Sequence, residues 1–260
     1  MANTYSLDIE RGNSQYAYIT DANQTGLDLT GDFTFEAWIK VESDPSDVEA
    51  ILAKLLNTGG KGGYRFYWFA QHIHCRVWNS SDKGFGYVTD NNVVATGAWH
   101  HVAVSHDSSE KLMVIYIDGS SVNVTKDLDE TGSGGVGNTD APFYIGADPA
   151  TGSYVWGFDG LIDEVRVWSD IRTSTEISDN YNKQLVGNEA NLVGYWQFND
   201  DYLDLTSNNN DLTAVNSPVF STDVPFVGSP IKSINGLAKA SIKSINGCAI
   251  GSVKSFNGLT

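Results

Sequence analysis

The sequence predicts an all-β sandwich with one short helix and a C-terminal repeat tail. Three observations predict it. Apolar residues alternate in short runs broken by Gly, Asn and Asp, in a 260-residue chain that is 12% aromatic and holds 26 glycines. One segment alone carries a convincing helix start. Beyond residue 228 a short motif returns three times at a period of 11 residues.

The strands follow from side-chain alternation. In Phe33-Thr34-Phe35-Glu36-Ala37-Trp38-Ile39, the period of two places Phe33, Phe35, Ala37 and Ile39 on one inward face. Tyr64, Phe66 and Trp68 face one way along the next aromatic run, and Arg65, Tyr67 and Phe69 the other. One of those two sets is core. Trp99-His100-His101-Val102-Ala103-Val104 reads as a further strand. Leu112–Ile117 runs into Asp118-Gly119, a hairpin turn in which Gly supplies positive φ. The helix is placed by Thr173 and Glu176 at capping-box spacing, followed by an apolar stripe of Ile177, Tyr181 and Leu185. Seven tryptophans suit the wide space between two sheets.

The boundary falls where composition changes. Residues 1–228 form the sandwich domain and 229–260 a basic repeat tail. The tail units are Ile231-Lys232-Ser233-Ile234-Asn235-Gly236, Ile242-Lys243-Ser244-Ile245-Asn246-Gly247 and Val253-Lys254-Ser255-Phe256-Asn257-Gly258. Each is a short alternating strand closing on Asn-Gly, a strong turn signal. Such units cannot bury a face alone and need a partner surface or other copies of themselves.

Charge restricts the partners. Residues 1–228 carry 12 basic and 32 acidic side chains, a net charge of −20, whereas the tail adds four lysines and no acid. The acidic body repels phosphate, which argues against nucleic acid and anionic membrane surfaces. No apolar run approaches the roughly 18 residues of a membrane helix. The first residues show neither a basic nor an apolar signal region, so no secretory signal is expected. Cys75 and Cys248 make no disulfide framework and are expected as free thiols.

Five motifs in order carry a family resemblance. Gly31–Ile39, Gly97–Val104, Tyr116–Gly119 and Tyr144–Gly146 resemble successive strands of laminin G-like, concanavalin A-like domains. Phe158-Asp159-Gly160-Leu161-Ile162-Asp163-Glu164-Val165-Arg166-Val167-Trp168 is the most specific match. The resemblance spans roughly residues 5–185 and implies a concanavalin A-like jelly-roll β-sandwich, related to laminin G and pentraxin domains. The segment Leu192–Phe198, with Asp204–Asn209, often precedes the first strand in that family. Here it follows the helix, and we place it within the domain.

The resemblance also implies Ca²⁺, held by hard oxygen donors in rim loops. Asp148 is the best carry-over, Asp159 is next, and Asp204 with Asn208 form a weaker pair. The alternative at Asp148 and Asp159 is a turn residue bonding its own backbone. Some relatives of this fold are glycoside hydrolases. The nearest paired carboxylates here are Asp8 and Glu10, without the third acid such strands carry. Asp163 and Glu164 are adjacent and are expected on opposite faces. His72 and His74 share a face and could ligate Zn²⁺ with a third ligand, but exposed sheet histidines are the simpler reading.

Sugar recognition needs aromatic faces for C–H contacts and polar groups for hydroxyls. Tyr154 and Trp156, beside Asp148, and Asn79 and Asp82, after Trp78, supply those pieces. The expected function is a non-enzymatic, lectin-like recognition or adhesion module on a virion, as a capsid decoration or a tail- or fibre-associated protein. The tail resembles repeat segments of phage structural proteins. Lys232, Ile234, Lys243, Ile245, Lys254 and Phe256 would attach the module to capsid or tail proteins or to neighbouring copies, with cell-surface glycans as ligands. The alternatives are a bacterial cell-surface carbohydrate-binding adhesin and a glycoside hydrolase.

Overall fold

Alternation and register decide which side chains each layer buries. The computed structural model describes residues 3–43, 47–55, 62–148 and 156–226, with the backbone of four short strands between 233 and 249. In chain order the first nine strands are β1 (Ser6–Ile9), β2 (Tyr16–Ile19), β3 (Phe33–Val41), β4 (Glu49–Leu55), β5 (Gly63–Phe69), β6 (His72–Trp78), β7 (Gly84–Thr89), β8 (His100–Asp107) and β9 (Leu112–Ile117). They are followed by β10 (Ser120–Ser121), β11 (Val124–Asp129), β12 (Phe143–Ile145), β13 (Ala147–Asp148), β14 (Trp156–Gly157) and β15 (Gly160–Trp168). The helix α1 (Ser174–Asn180), β16 (Leu192–Trp196), β17 (Thr213–Val215) and β18 (Val219–Ser221) complete the body.

Two antiparallel sheets stack on each other. The first runs β10-β9-β8-β3-β15-β1-β18, with β16 also on β15; the second runs β11-β7-β6-β5-β4-β12-β2-β17. Late strands finish both sheets, since β18 pairs with β1 and β17 with β2. The segment after the helix thus supplies strands to both sheets.

The core sits between the sheets and is built from the expected faces. Phe33, Phe35, Ala37 and Ile39 are fully buried there, opposite Tyr64, Phe66 and Trp68. Phe33 and Phe35 stack with centroids 4.3 Å apart. Burying each such ring contributes about 1.5–3 kcal/mol. The buried indoles find acceptors: Trp68 Nε1 donates to the Val94 carbonyl at 3.0 Å and Trp196 Nε1 to Asn210 at 3.0 Å. The Asp118-Gly119 turn joins β9 to β10 with φ of 49° and 79°, as a two-residue hairpin requires.

The outer face of the first sheet is covered. Thr173 and Glu176 form the reciprocal capping box that starts α1, and Ile177 packs on Ala103 and Tyr116. The helix stops at Asn180, so the expected stripe is too long. Tyr181 is its C-cap, and Leu185 reaches a separate cluster of Trp168, Leu192 and Tyr195. Arg166, buried in this face, donates to the carbonyls of Asn180 at 3.1 Å and Lys183 at 2.5 Å. It also pairs with Glu36 at 3.5 Å and Glu164 at 3.1 Å. Trp168 Nε1 donates to Glu36 at 2.7 Å, and the His101 ring sits 3.1 Å from the same carboxylate. Asp163 and Glu164 do not alternate as expected. The register shifts between Asp163 and Arg166, with Glu164 at φ 51°, and both acids are buried on the helix side.

In the tail, β19 (Ser233–Ile234) pairs with β20 (Leu237–Ala238), and β21 (Ser244–Ile245) with β22 (Cys248–Ala249). Short paired strands thus occur at the first two units, whereas their Asn-Gly dipeptides lie outside the described residues. The third unit lies outside the described residues.

Candidate ligand-binding face

With one sheet capped by the helix and its loop, the second sheet carries the accessible layer. Its pairing lines up long polar and aromatic side chains in rows. One row crosses the sheet through Tyr18, Tyr144, Ala53, Arg65, Arg76 and Gly86. The next runs through Ala50, Tyr67, His74, Val88 and Thr125, and Phe69 opposite His72 forms a short third row. Small residues make room for the large ones. A Cβ on Gly86 would lie 2.4 Å from Arg76 Cγ, so glycine lets Arg76 lie across the sheet.

Two ion pairs organise the rows. Arg65 Nε meets Asp148 at 2.5 Å, and its guanidinium lies 4.1 Å from the Trp156 ring centroid, 5.4 Å from Trp78 and 5.6 Å from Tyr67. Burial holds the Arg65 guanidinium below its ordinary value and the Asp148 carboxyl above its own, in each case against the pull of the partner. In the second pair Arg76 donates to Asp127 at 2.7 Å, and His74 Nδ1 meets the same oxygen at 3.1 Å. Burial works to raise the Asp127 carboxyl, but the bonds from His74 and Arg76 outweigh it and hold it low. The His74 ring stacks flat on Tyr67, with centroids 4.6 Å apart and planes at 7°. Burial lowers the affinity of His74 for a second proton and pushes the Tyr67 hydroxyl up to about 12.

Beside this network lies a cleft of about 590 Å³, walled by Phe69, His72, His74 and Val88 and rimmed by Thr89, Asp90 and Thr125. That volume lies within the 300–1,000 Å³ of small-ligand sites. Phe69 is 36% exposed, one of the few large apolar side chains left open. The cleft can therefore offer ring surface to C–H groups and polar atoms to hydroxyls.

The residues singled out in the sequence fall in several places. Asp148 is 1% exposed and neutralised by Arg65, so it is not an open rim ligand. Asp159, half-buried, accepts from the Arg11 amide at 3.3 Å and Ser43 Oγ at 2.6 Å. Asp204 accepts from the amides of Tyr195, Thr206 and Asn210 and from Thr206 Oγ1, and Asn208 donates to the Val193 carbonyl at 2.9 Å, so that pair shapes its own loop. Among the described residues no three His, Cys, Asp or Glu side chains converge where they could hold a metal ion. Asn79 also closes its own turn: it accepts from the amides of Ser81 and Lys83 and donates to Gly132. Asp82 stands exposed in that turn at φ 58°. Trp156 is half-exposed over Arg65, and Tyr154 lies outside the described residues. The side chains of Lys232, Ile234, Lys243, Ile245, Lys254 and Phe256 lie outside them too. Cys75 is a buried free thiol.

The histidine pair departs from the exposed reading, for His74 is 9% exposed. Its carboxylate partner escaped the sequence because Asp127 sits at a register shift between Lys126 and Leu128 in β11. Alternation had already put Phe69 on the second face of its strand and His72 and His74 on one face of theirs, which was the signal for the cleft.

Acids gather elsewhere at one end of the sandwich. Burial, then Glu10 and Asp159, raise the Asp8 carboxyl. Glu42 is raised by burial and by Asp8, Glu10 and Asp159, with Lys40 opposing.

Fold and comparison agree on the class of protein. Residues 11–178 match the Laminin_G_3 family, described as the concanavalin A-like lectin/glucanases superfamily, and the chain belongs to that family. Among solved structures it is similar to a protein from Bacteroides ovatus with a provisional carbohydrate-binding designation, at 18% identity and a TM-score of 0.59, over 85% of this chain and 60% of that one. It is also similar to the native heptameric SAP-like pentraxin of Limulus polyphemus, at 14% identity and a TM-score of 0.55, over 84% of this chain and 94% of that one. At these identities the likeness is one of fold. No curated protein sequence matches the chain. No helix among the described residues is long and apolar enough to cross a membrane.

Proposed function

We propose that the chain is a non-enzymatic, lectin-like recognition module whose ligand surface is the outer face of the second sheet. The observation that carries this reading is the Phe69–His72–His74 cleft on the sheet face that α1 does not cover. Ring surface beside lone pairs is what a sugar ring with hydroxyls needs. Recognition does not require calcium at Asp148, because Arg65 already supplies the positive charge there. A glycan array probed with the full chain, with and without EDTA, tests this. Binding retained in EDTA and lost on Phe69→Ala supports it; no glycan bound by the folded chain defeats it.

The finer reading places the module on a larger assembly, fastened by residues 229–260. Four lysines on an acid-free repeat, and paired strands in two of its units, support an attachment role. A virion surface is the setting that the repeats suggest, and a bacterial cell surface is the alternative. Deleting 229–260 should abolish incorporation while leaving the sandwich folded. Normal incorporation of the truncated chain defeats this reading, and fractionation of the native host separates the two settings.

A second reading, a glycoside hydrolase, is favoured only by the acids gathered around Asp8, whose carboxyl is raised by burial and by the neighbouring Glu10 and Asp159. Turnover of β-glucans, lost on Asp8→Ala or Glu10→Ala, would establish it.

A further inference from the structure

Lys54, in β4, is 1% exposed, and its ammonium sits among four oxygens. Asp21 Oδ1 lies at 2.6 Å and Asp28 Oδ1 at 2.9 Å. The carbonyls of Thr139 and Ala141 accept from the same nitrogen at 2.7 and 2.8 Å. The aspartates come from the segment between β2 and β3, and the carbonyls from the approach to β12, so the lysine ties three segments together. An ammonium has three hydrogens, one fewer than the oxygens around it. Two carboxylates with two backbone carbonyls are instead the donor set of a hard divalent ion such as Ca²⁺.

Neighbours other than the lysine hold these oxygens in place. Gln24 Nε2 donates to Asp28 Oδ2 at 2.9 Å and to Asp21 Oδ1 at 3.4 Å, and Gln24 Oε1 accepts from the Leu27 amide at 2.8 Å. The Tyr64 hydroxyl donates to the Leu27 carbonyl at 2.8 Å. The side chains of Asp21 and Asp28 are 30% and 34% exposed, so the cage faces water on its carboxylate side. There water can complete the roughly 6–8 oxygens of a calcium shell. A basic side chain fills an acidic position at Asp148 as well, where Arg65 stands 2.5 Å away.

We propose that this cage is a calcium-type site whose resident cation is the chain's own Lys54, and that the lysine closes this end of the sandwich without a divalent ion. A calcium ion in the rim loops, which the sequence resemblance implies, does not fit here. Oxygens about 2.3–2.6 Å from an ion would centre it where the ammonium nitrogen already is. Cutting the side chain back to Cβ removes the resident charge and leaves the four oxygens to take an ion from solution. The proposal stands apart from the lectin-like reading, because the cage lies away from the Phe69 cleft: Lys54 pairs with Tyr64, at the opposite end of β5 from Phe69.

The test is thermal melting of the full chain and its variants in EDTA and in about 10 mM Ca²⁺, a concentration well above the dissociation constant of a moderate calcium site. The native chain should melt at the same temperature in both. Lys54→Ala strands two carboxylates beside each other and should melt about 10 °C lower in EDTA. Calcium should restore about 5 °C of that loss by binding the folded state. Lys54→Met loses the same charge but keeps a stem in the cage, so it should fall similarly and not respond to calcium. Asp21→Asn added to Lys54→Ala removes an ion ligand and should abolish the rescue. A Lys54→Ala chain that folds only with calcium supports the proposal most strongly. One that stays unfolded with calcium, or melts alike in both conditions, overturns it. So does equal rescue of Lys54→Met, because the ion would then bind elsewhere. A native chain that melts lower in EDTA also overturns it, and that measurement needs no variant to fold. None of these outcomes touches the lectin-like reading, which the glycan array decides.

Discussion

Arg65 shows how a single buried residue can fix a surface without adding much stability. Its guanidinium and the Asp148 carboxylate are both disfavoured in their charged forms by burial, and the 2.5 Å contact does not fully compensate. Truncating one partner strands the other charge. Asp148→Ala alone should therefore cost about 3–5 kcal/mol in urea unfolding. The double change Arg65→Met with Asp148→Ala should cost clearly less than the sum of the two single changes. Additive losses would mean that the two charges do not depend on each other.

His106 makes a second prediction at the same scale. Burial pushes its imidazole down to about 4, despite the Gly31 carbonyl beside it. The unfolded chain takes up that proton near 6.5, before the folded one does. Stability from the neutral ring is therefore complete above pH 6.5 and is lost as the pH falls toward 4, by about 3 kcal/mol in all. Burial shifts His74 and His101 in the same direction. The urea midpoint should fall between pH 7 and pH 4.5, and His106→Leu should flatten part of that slope. A slope unchanged in the folded variant would contradict the assignment.

At the scale of elements, α1 is held from outside. Seven residues are too few for an isolated helix, so its capping box and its dock on Arg166 keep it in place. Thr173→Ala should cost about 1 kcal/mol, read as a fall in Tm of about 2–4 °C. An unchanged Tm would show that the cap contributes nothing. The elements also show what could be read in advance. β3, the β9–β10 hairpin and the capping box were legible because each is set by neighbours in sequence. The bulges at Glu164 and Asp127 were not, because a one-residue register shift depends on the partner strand and reverses every facing it passes. The buried state of Asp148 was hidden for the same reason. Arg65, its counter-charge, comes from a strand 83 positions earlier, and nothing local announces the meeting. The histidine cleft was half legible: its shared face followed from alternation, whereas the carboxylate that sets the His74 proton did not.

Over the whole molecule, the helix divides the labour between the sheets. It seals one outer face over a buried Arg–Glu network and leaves on the other a cleft lined by Phe69, His72 and His74. The body carries a charge of −20, while the tail carries four lysines and no acid. The proposed ligand lies on the outer face of the second sheet. Amide and side-chain NMR shifts of the full chain, titrated with a glycan that binds on the array, locate it. The largest changes should fall at Phe69, His72, His74, Val88 and Thr125. Changes confined to the acidic end around Asp8, Glu42 and Asp159, with that cleft untouched, would contradict it.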